Sequence, residues 1–119
     1  MTVNEFYQAI GVDSSLPLQR FANNETLLKK FLKRSLSDPT CSDLFRFMEE
    51  KNYPEAFRAA HTLKGVCLNM EYTPLVSISS ELTELLRDND APDLSKTAPL
   101  LEKLEQTYAE IVGLLQQLD

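Results

Sequence analysis

The apolar residues of this chain recur at helical spacing almost from end to end, and that periodicity constrains the fold more than any other feature. Leu101, Leu104, Tyr108, Ile111, Leu115 and Leu118 alternate steps of three and four, the seam of a helix packed at a shallow angle on its neighbours. Leu75, Ile78, Leu82, Leu85 and Leu86 make a second stripe, and Leu27, Leu28, Phe31, Leu32 and Leu36 a third. Alternating β-branched or aromatic runs are absent and only three glycines occur, so the chain reads as all-α.

Start and stop signals divide this pattern into elements. Thr2 and Glu5 have capping-box spacing and Gly11 offers a stop, which predicts a short helix over 3–10 followed by a loop over 12–17. Asn23 or Asn24 caps a second helix, basic outside through Lys29, Lys30, Lys33 and Arg34, which ends at Ser37-Asp38-Pro39. Thr40 and Asp43 open a shorter helix that Asn52 closes in a left-handed conformation. Pro54 and Thr73-Pro74 open the next two, the first running to about Met70, and residues 87–93 form the loop before the last. Short connections make consecutive helices antiparallel, so the expected architecture is an up-and-down four-helix bundle with a short extra N-terminal helix, one domain over residues 1–119.

Composition narrows the function. A formal charge of -6 argues against an electrostatic binder of nucleic acid or anionic membrane and favours a protein or small-molecule partner. No apolar run approaches the ~20 residues that span a bilayer, and Met1-Thr2-Val3-Asn4-Glu5 lacks a basic, apolar leader, so a cytoplasmic location is expected. Cys41 and Cys67 are too few for a zinc site and read as small apolar fillers or helix-start residues; no metal ligand set is expected.

The only histidine, His61, stands in Ala60-His61-Thr62-Leu63-Lys64-Gly65. With about 100° per residue and Phe57 as zero, Ala56, Ala59, Ala60, Leu63, Val66, Cys67 and Met70 share an arc from about 180° to about 300° that must face the core. The same arithmetic puts His61 at ~40°, Gly65 at ~80°, Arg58 at ~100°, Leu68 at ~20° and Lys64 at ~340°, all pointing outward. Imidazole is the one side chain whose unperturbed pKa lies near neutrality, so an exposed histidine can present a neutral, nucleophilic nitrogen at cellular pH. Lys64, one turn on, is a mobile cation suited to a phosphoryl group. A mid-helix glycine costs about 1 kcal/mol relative to alanine, so Gly65 requires either an open approach to His61 or a close helix contact. Phe57 and Leu68 flank the histidine as a docking patch, with Phe57 equally able to complete the core.

These residues resemble the signature of the histidine-containing phosphotransfer (HPt) domain: Ala60-His61-Thr62-Leu63-Lys64-Gly65 with Asn69 eight positions after the histidine, preceded by Arg20-Phe21-Ala22-Asn23-Asn24-Glu25 and a Leu/Phe-rich helix. The resemblance covers about residue 3 to residue 118. It implies a four-helix bundle without kinase activity of its own, in which His61 accepts a phosphoryl group, Lys64 supports its charge and Gly65 gives clearance. It also implies response-regulator receiver domains as partners, a hybrid histidine kinase as a further one, and no cofactor, any Mg²⁺ belonging to the receiver. The chain departs from the family at Glu71, where a glycine usually follows the histidine by ten residues, and in the bulk of Val66, Cys67 and Leu68.

Phosphoryl exchange between an aspartate and a histidine needs in-line approach and charge stabilisation, so the acceptor side needs only an exposed imidazole on a rigid scaffold. The expectation is therefore a monomeric phosphorelay intermediate, with Phe57, Arg58, Gly65 and Leu68 meeting the partner. The alternatives are a non-catalytic bundle that docks on a receiver or kinase and regulates it, and a structural bundle in which His61 is incidental. Met1 and the capped first helix favour a free-standing protein.

Overall fold

The computed structural model describes residues 1–119 and contains helices only: α1 (Val3–Ala9), α2 (Ser15–Arg20), α3 (Glu25–Arg34) continued by a 3₁₀ turn (Ser35–Ser37), α4 (Thr40–Glu49), α5 (Tyr53–Asn69), α6 (Thr73–Leu86) and α7 (Leu94–Leu115). Side chains begin several of them. Thr2 and Glu5 form the reciprocal capping box of α1, and Asn24 accepts from Leu27 N at the start of α3. Asn52 accepts from Glu55 N, and Asp93 from Ser95 N, at the starts of α5 and α7. Each of these contacts satisfies a backbone donor that the first turn cannot use, which fixes where the helix begins.

The bundle consists of α4, α5, α6 and α7. The connections 50–52 and 70–72 are too short to do anything but reverse the chain, so α5 lies against both α4 and α6, while 87–93 returns α7 along α6. One continuous core fills the space between them, with Leu44, Ala60, Leu75, Leu82, Leu104 and Ile111 fully buried or nearly so. No helix is long and apolar enough to cross a membrane.

Three features differ from expectation. Residues 12–17 are not all loop: α2 begins at Ser15, where Asp13 accepts from Ser15 N at 3.0 Å. Its Pro17 sits in the first turn, where no amide hydrogen is needed, and is buried. The left-handed residue after α4 is Lys51, at φ 58°, and not Asn52, whose side chain is occupied in capping α5. In α3 only Leu28 and Leu32 are buried; Leu27, Phe31 and Leu36 remain exposed, because the helix covers the bundle along a narrow stripe.

The C-terminal end of α5 is braced from two sides. Tyr7 of α1 donates to the Met70 carbonyl at 2.8 Å, and Tyr72 donates to Ser35 Oγ at 2.7 Å. Phe6 packs edge-on against both tyrosine rings, with centroids 5.0 and 6.2 Å away. The N-terminal helices thereby hold the helix that carries His61.

Candidate functional site

The two faces of α5 separate as the helical arithmetic requires. Ala56, Ala59, Ala60, Leu63, Cys67 and Met70 are buried and Val66 is half-buried. Arg58, His61, Thr62, Leu68 and Asn69 are exposed, with Lys64 and Gly65 half-exposed on the same side. The His61 imidazole makes no hydrogen bond to another side chain or to the backbone. Its ring meets Phe57 edge to face, with centroids 5.9 Å apart and planes at 84°. Phe57, one turn earlier, is half-buried and packs against the core, so it both anchors in the bundle and supports the imidazole.

A β-carbon built on Gly65 would find no heavy atom within 4 Å. The close helix contact considered for this residue is therefore absent, and the glycine leaves open surface one turn from His61. Lys64 forms no ion pair, whereas Arg58 is paired with Glu55 at 2.8 Å on the exposed side of the helix.

Two residues at the end of α6 join this group: Arg87, which the sequence places only in the loop over 87–93, and Glu84, to which it assigns no role. Arg87 stands with its guanidinium 5.0 Å from the Phe57 ring centroid, and it pairs with Glu84 at 3.2 Å. Arg87 holds the Glu84 carboxyl below its ordinary value through hydrogen bonds and charge, with smaller contributions from Lys64 and His61, so Glu84 lies within the field of those two residues. The spacing of Glu84 and Arg87 flanking buried Leu86 marks both as lying at the edge of α6, but only the α5–α6 packing shows what they border.

Concave surface lies on both flanks of α5. On the α6 side a hollow of about 430 Å³ is floored by Phe57, His61 and Leu86 and rimmed by Arg58, Asp88 and Asp90. On the α3 side a hollow of about 570 Å³ is lined by Phe21, Phe31, Arg34, Val66 and Asn69. The Arg34 guanidinium lies 5.2 Å from the Phe31 ring centroid and pairs with no carboxylate. The exposed histidine is thus the middle of a surface that is apolar and cationic on one side and partly acidic on the other.

The family model of the Hpt domain matches residues 22–118, nearly the whole of this helical arrangement. The chain belongs to the Hpt domain family. Hpt domains carry out histidine phosphotransfer in two-component signalling and interact with response-regulator receivers and kinases. Comparison with curated proteins and with solved structures finds no match. Helices α1 and α2 precede the matched region, yet Phe6, Tyr7 and Pro17 are buried with the rest of this Hpt domain.

The departure at Glu71 has a local explanation in this Hpt domain. Glu71 adopts φ 55°, the left-handed conformation that a glycine takes most easily, and so ends α5 as a glycine would. Its carboxylate accepts from Arg20 Nε at 2.9 Å, tying the turn to α2. The bulk after Gly65 is also accommodated: Cys67 goes into the core, Val66 lines the α3-side hollow and Leu68 lies exposed.

Proposed function

We propose that His61 is the phosphoacceptor of a phosphorelay, receiving a phosphoryl group from the aspartyl phosphate of a response-regulator receiver domain and passing it to another. A hybrid histidine kinase is a further partner in this reading. The unprotonated ring nitrogen attacks phosphorus; the N–P bond forms as the P–O bond to the aspartate breaks, and the carboxylate leaves with the bond electrons. The return transfer is the reverse. Lys64, on the same face and unpaired, offsets phosphoryl charge, and any divalent cation comes with the receiver.

The observation that carries this reading is the combination at one turn's distance: an exposed imidazole with no hydrogen-bond partner, and a glycine whose only structural effect is open surface. Phe57, Arg58, Gly65 and Leu68 meet the receiver in this proposal, which takes residues 1–119 as one working unit, monomeric and cytoplasmic.

The test is transfer from purified, phosphorylated receiver domains. Label on the wild type that is acid-labile and base-stable, and lost in His61→Gln, is expected. Because the imidazole holds nothing by hydrogen bonding, that variant should stay within about 0.5 kcal/mol of wild-type stability. If several receivers bind the protein and none labels it, it is instead a non-catalytic docking module.

A further inference from the structure

Between α5 and α6 the chain sets Glu84, Arg87, Phe57 and His61 in series. Arg87 bonds the Glu84 carboxylate through Nε and Nη2, at 3.3 and 3.2 Å, and lies over the Phe57 ring, whose edge contact with His61 brings the imidazole next in line. The Arg87 and Glu84 side chains are about half-exposed, 46% and 62%, so neither is locked in place by packing. The guanidinium is a cation that already stands beside the aromatic ring touching His61, and Glu84 is the carboxylate it bonds.

We propose that Arg87 is a second phosphoryl-binding cation, exchanged between Glu84 when His61 is free and the phosphoryl group when His61 is phosphorylated, with Glu84 acting as the competitor that favours giving the group up. This rests on His61 being the phosphoacceptor. A phosphoryl dianion bonded to the ring nitrogen adds new acceptor oxygens to the surface that His61 shares with Phe57, and guanidinium geometry suits two of them at once. The Glu84 carboxylate both competes for the same donors and repels the dianion. The bond to Glu84 therefore weakens the phosphorylated state relative to a site in which Arg87 is unengaged.

Lys64 serves the same charge from α5 and has no carboxylate of its own, so its contribution is present in both states. Arg87 differs because its help requires breaking a pair. The other charged groups around the imidazole are Arg58, paired with Glu55, and Asp88 and Asp90 on the rim of the adjoining hollow; Asp88 adds its charge at Arg87, but only Glu84 bonds the guanidinium.

The experiment uses the full chain phosphorylated chemically with phosphoramidate and followed by ³¹P NMR across pH, in parallel with the end-point share of phosphate kept by His61 when a receiver domain is added. Glu84→Gln should raise the share kept roughly two- to fivefold, as expected for a partly exposed charge pair, and lower the pH midpoint of the phosphoryl resonance. Arg87→Ala introduced into the Glu84→Gln protein should reverse both changes, because the cation itself has gone. If that second substitution leaves midpoint and share unchanged, Arg87 only neutralises Glu84 and the exchange is wrong. A wild type that takes no phosphate on His61 from phosphoramidate or any receiver overturns the phosphoacceptor reading as well, and the two failures are thereby told apart.

Discussion

Arg20 donates from Nε to Glu71 Oε1 at 2.9 Å, so the last residue of α2 holds the left-handed residue that ends the histidine helix. A left-handed conformation costs an L-residue about 1–2 kcal/mol, and a partly exposed ion pair returns at most about 1 kcal/mol. The chain therefore carries modest strain at this turn that a glycine would not.

Glu71→Gly should accordingly leave the domain as stable as before or up to about 1 kcal/mol more stable, whereas Arg20→Ala should cost less than about 1 kcal/mol. Thermal or urea unfolding of both variants and of the double variant decides the matter. If Glu71→Gly loses more than it gains, the link to α2 outweighs the strain.

Gly65 gives the second test, since nothing within 4 Å opposes a β-carbon there. Gly65→Ala should stabilise α5 by about 1 kcal/mol while slowing phosphotransfer, and Gly65→Leu should weaken receiver binding with the helix intact. A variant that is both more stable and less active is the expected signature of a residue kept for access. Full transfer by Gly65→Ala together with unchanged affinity of Gly65→Leu would remove the clearance argument.

What could be read from the sequence was whatever depends on a single helix. The orientation of His61 followed from the spacing of Ala56, Ala60, Leu63 and Cys67 on its own helix, because burial of one face fixes the other. Helix α2 escaped because six residues with Pro17 among them are too short to show a period. Arg87 escaped for a different reason: its neighbours Phe57 and Glu84 include one from another helix, and only the packing of α6 on α5 brings them together. The unusual residue at position 71 was visible, but the partner that answers it lies 51 positions away.

Lys64 is half-exposed and unpaired, so its removal should touch chemistry and spare the fold. Lys64→Ala is expected to slow transfer while lowering stability by less than about 1 kcal/mol, the range for surface substitutions away from structural contacts. A larger loss in thermal unfolding would assign the side chain a packing role instead.

Alkaline pH offers a test of the core itself. Burial pushes the Cys41 and Cys67 thiols up to about 12 from an ordinary value of 9.0, with further raising of Cys41 by Asp38 and Glu105 and of Cys67 by Cys41. The folded chain keeps both protons while the unfolded chain releases them from about pH 9 upward, so this stabilisation is complete below pH 9 and declines between pH 9 and 12. Each thiol contributes a slope of up to about 1.4 kcal/mol per pH unit. Between pH 9 and 10 the thiols dominate, because tyrosines ionise in the unfolded chain only near 10.0 and above. Urea unfolding at pH 7, 9, 9.5 and 10 should show a falling stability whose slope is shallower in Cys67→Ala, even though that variant starts lower at pH 7 through lost packing. Equal slopes in the two proteins would mean that the Cys67 thiol ionises as readily in the folded bundle as in the unfolded chain.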